Sequence, residues 1–295
     1  MTDKLIQRLT RNQIDDSKWN EAINHSSHPR VYALSWYLDC MTQNQWSALV
    51  IGDYDAVFPL YNKYKFGIPY ITQPILCQQL GLFSKIELDE SVHKYIIEYI
   101  KTHFLKCNLL INGSGNFPLD SIAKINHILP INKDYNDIST AYNTNTKRNL
   151  KKASDQSLIL SKSMDVKTFV NFIVENDKSE RLSEISGQIT HLIQYSQKLG
   201  NGNILTVTKE DKIISGIFYI SDEDRVYTLI MVSNDVGLQS KAMFLLIDDV
   251  IKQYSGKKKY LDFFGSNIEN IARRNEGFGA LKEVYFQLHL SWRPI

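Results

Sequence analysis

The sequence predicts an α/β protein of two related modules, each a mixed, mostly antiparallel sheet flanked by helices. Apolar residues recur at helical spacing in some stretches and gather into short β-branched runs in others. The same order of elements also occurs twice: two helices, a hairpin, a helix, a strand and Gly-Ser. The copies lie about 150 residues apart, with a helix at 91–104 answering one at 239–254 and Gly113-Ser114 answering Gly265-Ser266. A fixed offset points to duplication of one module. Coincidence is the competing account, since Gly-Ser after a strand is common.

In the first half, helices are expected at 15–25 and 35–44. Strands at 46–51 and 56–60 flank Gly52-Asp53-Tyr54-Asp55, whose glycine and acidic residues suit a turn. Val92, Ile96, Tyr99, Ile100 and His103 share one face of the helix at 91–104, and a short strand follows at 108–111. In the second half, Val166, Phe169, Val170 and Ile173 mark a helix at 165–176, and Ile189, Leu192, Ile193 and Ser196 another at 186–199. A hairpin at 204–208 and 213–220 precedes a strand at 226–232. The helix at 239–254 buries Met243, Leu246, Ile247, Val250 and Tyr254. A strand at 260–264, a helix at 268–277 and a strand at 283–290 complete the chain. The expected modules are 1–136 and 157–295, joined by a basic linker at 137–156 in which 139–155 reads as a polar helix.

Composition excludes several classes. The 295 residues suit two domains, and 43% hydrophobic with 22% charged residues is a globular balance. A net charge of +2 means that affinity for a polyanion must reside in a local patch. Residues 1–14 are polar and no apolar run approaches about 18 residues, so neither a secretory signal nor a membrane span is expected. Cys40, Cys77 and Cys107 are odd in number and widely spaced, which predicts reduced thiols and a cytoplasmic protein. His25, His28 and Cys40 have no fourth ligand nearby, so no metal is expected. A G-x-S-x-G elbow, a Walker loop and a dinucleotide fingerprint are all absent.

Two motifs carry a family resemblance. Asn145-Thr146-Lys147-Arg148-Asn149-Leu150-Lys151-Lys152-Ala153 forms the basic linker. Tyr260-Leu261-Asp262-Phe263-Phe264-Gly265-Ser266 is followed by Phe278-Gly279-Ala280. With the order of elements, these make the chain resemble tandem GNAT proteins of the FemAB-like branch, across essentially its whole length. The resemblance implies an acyl- or aminoacyltransferase that moves its group from a thioester or ester to an amine. No tightly bound cofactor is implied; the donor substrate would be acyl-CoA or an aminoacyl-tRNA. The site is expected in the cleft of the second module, facing the first. One departure stands out. GNAT enzymes carry Arg/Gln-x-x-Gly-x-Gly/Ala before the long helix, where backbone N–H groups hold the coenzyme pyrophosphate. Here the stretch is Gly237-Leu238-Gln239-Ser240-Lys241-Ala242, and only Ala242 fits. The departure tilts the expectation toward aminoacyl-tRNA users, which do without that loop. Gln239, Ser240, Lys241 and Ser266 are the corresponding candidate donor contacts.

Acyl transfer to an amine needs a proton acceptor, donors for the oxyanion and an acid for the leaving group. The GNAT fold supplies backbone donors from a splayed strand, here the one at 226–232. Tyr227 is the candidate acid there, or else a core tyrosine with its hydroxyl at the rim. Asp262 interrupts an apolar strand, so it is a candidate base or amine anchor, unless strand alternation aims it at water. Gln73, Gln78 and Gln79 offer neutral donors and acceptors to a polar substrate, or simply line a surface loop. Lys147 and Arg148, with Lys151 and Lys152, suit a phosphate-bearing partner such as tRNA, or form a solvated helix face. Lys257-Lys258-Lys259 is a weaker cluster. A non-catalytic module that kept the fold and binds a peptide or cell-wall fragment is the alternative from another class.

Overall fold

The structure is a computed structural model that describes residues 6–113, 121–265 and 267–291. The chain forms two units, Met1–Lys124 with Val284–Ile295, and Ile125–Glu283.

The first unit opens with β1 (Ile6–Thr10), α1 (Asp16–Asn24) and α2 (Ser35–Thr42). Asp15 starts α1 by accepting from the Ser17 and Lys18 amides, which have no partner inside the helix. β2 (Ser47–Ile51) and β3 (Ala56–Leu60) pair antiparallel, from Ser47↔Leu60 to Ile51↔Ala56. Both are buried throughout, so they read as continuous apolar runs. Beyond them come β4 (Asn62–Lys65), β5 (Ile68–Ile71), β6 (Phe83–Ser84), α3 (Glu90–His103) and β7 (Lys106–Ile111). Strands β1-β2-β3-β6 form one sheet, while β5 pairs antiparallel with β4 and parallel with β7. Asp89 caps α3, whose Ile96 and Ile100 pack with Leu49, Phe58 and Leu109.

The second unit takes in most of β8 (Ile122–Pro130), so it begins ahead of residue 137, where the sequence reading places the linker. That linker is two helices rather than one, α4 (Tyr135–Thr140) and α5 (Thr144–Ser154). The break has a cause: Tyr142 turns inward against Phe278, and Asn143 caps α5 through the Thr146 amide. β9 (Ile159–Ser161), α6 (Val166–Asn176) and α7 (Ser186–Lys198) lead into β10 (Gly202–Lys209), β11 (Lys212–Ser221) and β12 (Arg225–Ser233). Next come α8 (Asp235–Ser240), α9 (Ala242–Tyr254), β13 (Tyr260–Asp262) and α10 (Glu269–Gly277). The last strand, β14 (Leu281–Ser291), begins in this unit and continues into the first, where Phe286↔Ile111 to Ser291↔Lys106 pair it with β7. The strand order in the second unit is β8-β13-β12-β11-β10-β9, and among these neighbouring pairs β12 and β13 run parallel while the others run antiparallel. α9 lays Leu246, Ile247, Val250 and Ile251 on this sheet.

Two expected elements are shorter than the sequence suggests. The helix at 239–254 is broken at Lys241, whose φ of 60° is a left-handed conformation that ends α8 before α9 starts. The strand at 260–264 stops at Asp262, because Phe264 and Gly265 both take positive φ (53° and 112°).

Candidate functional site

β12 and β13 run together for three residues and then part. Their register is Arg225↔Tyr260, Val226↔Leu261 and Tyr227↔Asp262, while β12 continues to Ser233. Among the described residues, no strand lies beside that edge of β12 past Tyr227. The pairing of β12 with β11 is itself irregular, shifting between Phe218↔Ile230 and Ile220↔Tyr227. The shift gives β12 one extra residue, and such a bulge re-aims the backbone groups around it. Alternate peptide groups of a strand point to opposite edges, so part of 228–233 offers its N–H and C=O groups to the opening.

Asp262 accounts for the parting. Its Oδ1 accepts from the Phe264 amide at 2.9 Å and from Asn126 Nδ2 at 2.9 Å, and its Oδ2 from Arg225 Nη1 at 3.2 Å. The Asn126 Oδ1 in turn accepts from the Gly265 amide at 3.1 Å. Two side chains thus hold the Phe264-Gly265 turn, and the chain leaves the sheet there. Arg225 also reaches Glu283 at 3.1 Å, and Asn126 donates to the same carboxylate at 3.1 Å. Asp262 is fully buried, with Arg225 12% and Glu283 17% exposed, so this is an internal ion-pair network. Burial pulls the Arg225 guanidinium down, but the charges of Asp262 and Glu283 outweigh it and hold Arg225 above its ordinary value.

The sequence-derived residues divide accordingly. Strand alternation does not aim Asp262 at water; the carboxylate is enclosed and occupied. Tyr227 is fully buried, and its hydroxyl donates to Asp222 at 2.8 Å, at the closed end of β12. Gln239 is exposed, Ser240 is buried with its carbonyl accepting from Gln156 Nε2 at 3.1 Å, and Lys241 is half-buried at the helix break. Ser266 lies outside the described residues. Lys147 and Arg148 are exposed on α5; Lys147 bonds the Thr140 carbonyl and Arg148 the Asn145 side chain. The glutamines belong to the first unit and bond other groups of that unit. Gln73 accepts from the Leu110 amide at 3.0 Å and donates to the Cys77 carbonyl. Gln79 donates to Gln78 and accepts from the buried Arg30 at 3.2 Å.

Arg274 on α10 escapes the sequence reading. Its Nε and Nη2 donate to Asn275 Oδ1 at 3.2 and 3.0 Å, and Nη2 lies 3.6 Å from Met231 Sδ on the open stretch of β12. Among the described residues it makes no ion pair, and burial alone pushes its guanidinium down to about 10. Two adjacent arginines on a helix were a weak signal, since Arg273 simply pairs with Glu269 one turn back. Where the pyrophosphate loop would run, α8 stands instead. Asn234 accepts from the Gly237 amide, and a Cβ at Gly237 would come within 2.0 Å of the Ile214 carbonyl oxygen. That glycine serves close packing of α8 on β11.

No protein-family model matches the chain, and no curated protein matches its sequence. Solved structures do. FemX superposes with a TM-score of 0.63 at 10% identity, covering 95% of this chain and 96% of that one. A tandem GNAT protein from the clavulanic acid biosynthesis pathway gives 0.55 at 9% identity, covering 98% and 100%. L-PGS from Bacillus licheniformis gives 0.55 at 9%, covering 95% and 93%. The fold is the tandem GNAT fold of the FemAB-like type.

Proposed function

We propose that the protein transfers an acyl or aminoacyl group from an ester or thioester to an amine, with the carbonyl held in the opening between β12 and β13. The observation that carries this reading is the divergence of these strands after Tyr227↔Asp262. It leaves backbone donors at 228–233 beside a space that no strand of the described residues fills. Donors fixed in advance stabilise a developing oxyanion without reorganising, which is commonly the largest single contribution to such catalysis. In this reading Asp262 is a positioning residue: it ends β13 and keeps the space open. An outside water takes the amine proton, because the Asp262 carboxylate would have to abandon Arg225 to do so, and water returns a proton to the hydroxyl or thiol that leaves as the carbon–oxygen or carbon–sulfur bond breaks. Arg274 supplies a positive charge beside Met231, and an unpaired half-buried guanidinium is well suited to an anionic group of donor or acceptor.

The donor that fits best is an aminoacyl-tRNA or a related ester, since α8 replaces the glycine loop that would cradle a coenzyme pyrophosphate. Lys147 and Arg148 are then available to phosphates. A thermal shift with acetyl-CoA and a gel shift with charged tRNA separate the cases. At a hundredfold excess over the dissociation constant, a ligand stabilises by about 2.7 kcal/mol. Silence from both would refute the transferase reading and favour a module that only binds a peptide or cell-wall fragment. Arg274→Ala should abolish the ligand response while leaving the unliganded protein as stable or more so, because removing an unpaired half-buried charge relieves a desolvation cost.

A further inference from the structure

Between Asp55 and Glu87 the chain contains no acidic residue but carries Lys63, Lys65 and Lys85. The centre of this segment is the β4–β5 hairpin, paired from Asn62↔Ile71 to Lys65↔Ile68. Its two-residue turn is Phe66-Gly67, with φ of 53° and 78°. Positive φ at both central positions is the type I′ geometry, which favours Asn-Gly and is unusual for a bulky aromatic. Yet Phe66 stands there 92% exposed, flanked by Tyr64 at 65% and Ile68 at 46%. Lys63 Nζ lies 5.2 Å from the Tyr61 ring and Lys65 Nζ 5.8 Å from the Phe66 ring. Lysines alone would be the ordinary way to blunt an edge strand such as β4. A phenylalanine pushed into solvent at the tip is not part of that device.

We propose that this hairpin is a docking element for an anionic bilayer surface, with Phe66 entering the headgroup–acyl boundary and Lys63 and Lys65 resting at the phosphates. Charge complementarity selects the occupant, as an apolar tip flanked by two lysines, in a segment without an acidic residue, matches acidic lipid. An aromatic tip prefers the interface to the hydrocarbon centre, and its lysine stems can reach outward while their ammonium groups stay wet. The contact is small, so binding is weak and reversible. The inference does not rest on the transferase reading.

Sedimentation of the full chain with vesicles tests it. Vesicles of equal parts phosphatidylcholine and phosphatidylglycerol should carry the protein down, and phosphatidylcholine alone should carry down much less. Lys63→Gln and Lys65→Gln should each weaken binding about fivefold, the value of one cation near an acidic leaflet. Phe66→Asn should weaken it by roughly tenfold or more. Asparagine is the residue the turn prefers, so an unfolded variant would not account for the loss. Phe66→Trp should shift its emission to the blue with the mixed vesicles. The proposal is overturned if the protein sediments with neither vesicle, or if Phe66→Asn binds as well as the parent. It is equally overturned if the chain self-associates through this tip, with Phe66→Asn monomeric and vesicles ignored.

Discussion

Asp262→Asn is the most informative single substitution, because it separates a carboxylate that organises the opening from one that does chemistry in it. The native group accepts from Arg225, Asn126 and the Phe264 amide and is fully buried. Asparagine keeps the volume and one oxygen, so the Phe264 turn retains an acceptor. What is lost is the ion pair with Arg225, and the new amide sets N–H groups against the guanidinium. A hydrogen bond to a charged group is worth about 1.5–3 kcal/mol, and stranding a buried charge costs about 3–5 kcal/mol. Arg225 retains Glu283, so the cost should fall below that second range, at about 2–3 kcal/mol. Urea unfolding followed by far-ultraviolet circular dichroism measures it. Combining Asp262→Asn with Arg225→Ala should cost less than the two separate losses, with a coupling of about 1–2 kcal/mol. A loss under about 1 kcal/mol with no coupling would refute the reasoning, and would instead describe a loosely held carboxylate free to act as a base.

Gly237→Ala should destabilise by about 2–3 kcal/mol, since its methyl meets the Ile214 carbonyl oxygen and α8 must lift from β11; a chemical melt checks this. The thiols should be inert to a disulfide reagent at about pH 8 until the chain opens. Burial pushes Cys40 up to about 11, Cys107 up to about 12 and Cys77 well above its usual range, so the reaction rate should track unfolding. Burial also raises the Asp248 carboxyl, although Tyr135 and Tyr142 both donate to it. A raised carboxyl contributes stability that is complete below the unfolded value of about 3.9 and is lost as pH rises through the folded value. The melting temperature of the parent relative to Asp248→Asn should therefore fall as pH rises above about 4; a flat or rising difference would contradict this.

The sequence was legible where local chemistry decides local structure. Asp89 and Asp165 cap helices that the apolar spacing already marks, and Asp15 caps the helix expected at 15–25. Asp262 was legible as an anomaly, a charge in an apolar run. Its partners were not, because Arg225 lies 37 residues away and Asn126 lies 136 away, and pairing at that range is a property of topology. β8 was missed for a related reason: Asn126 and His127 occupy its centre and spoil the apolar pattern, and both are buried only because the network and Glu276 receive them. The break at Lys241 hid because lysine rarely adopts a left-handed conformation. The β4–β5 hairpin hid because its turn is Phe-Gly, a pair without the usual turn chemistry.

These misses share a location. Each falls where local preference is overridden, and in the second unit the overrides cluster around one feature, the parting of β12 from β13. Asn126 and Asp262 hold the turn that ends β13, while α8 and the Lys241 break fill the ground between β12 and α9. Of the amides near that break, Gly237 is engaged by Asn234, Lys241 by the Leu238 carbonyl and Phe244 by the Lys241 carbonyl. In the proposed reading, a ligand phosphate arriving there meets the packed helix α8 rather than a glycine loop, and side chains add positive charge. Arg274, Lys147 and Arg148 are the candidate cations of that reading, and Lys241 stands at the break itself. Under the proposed reading, a donor whose charge is spread along a polynucleotide suits such dispersed cations better than a single pyrophosphate does.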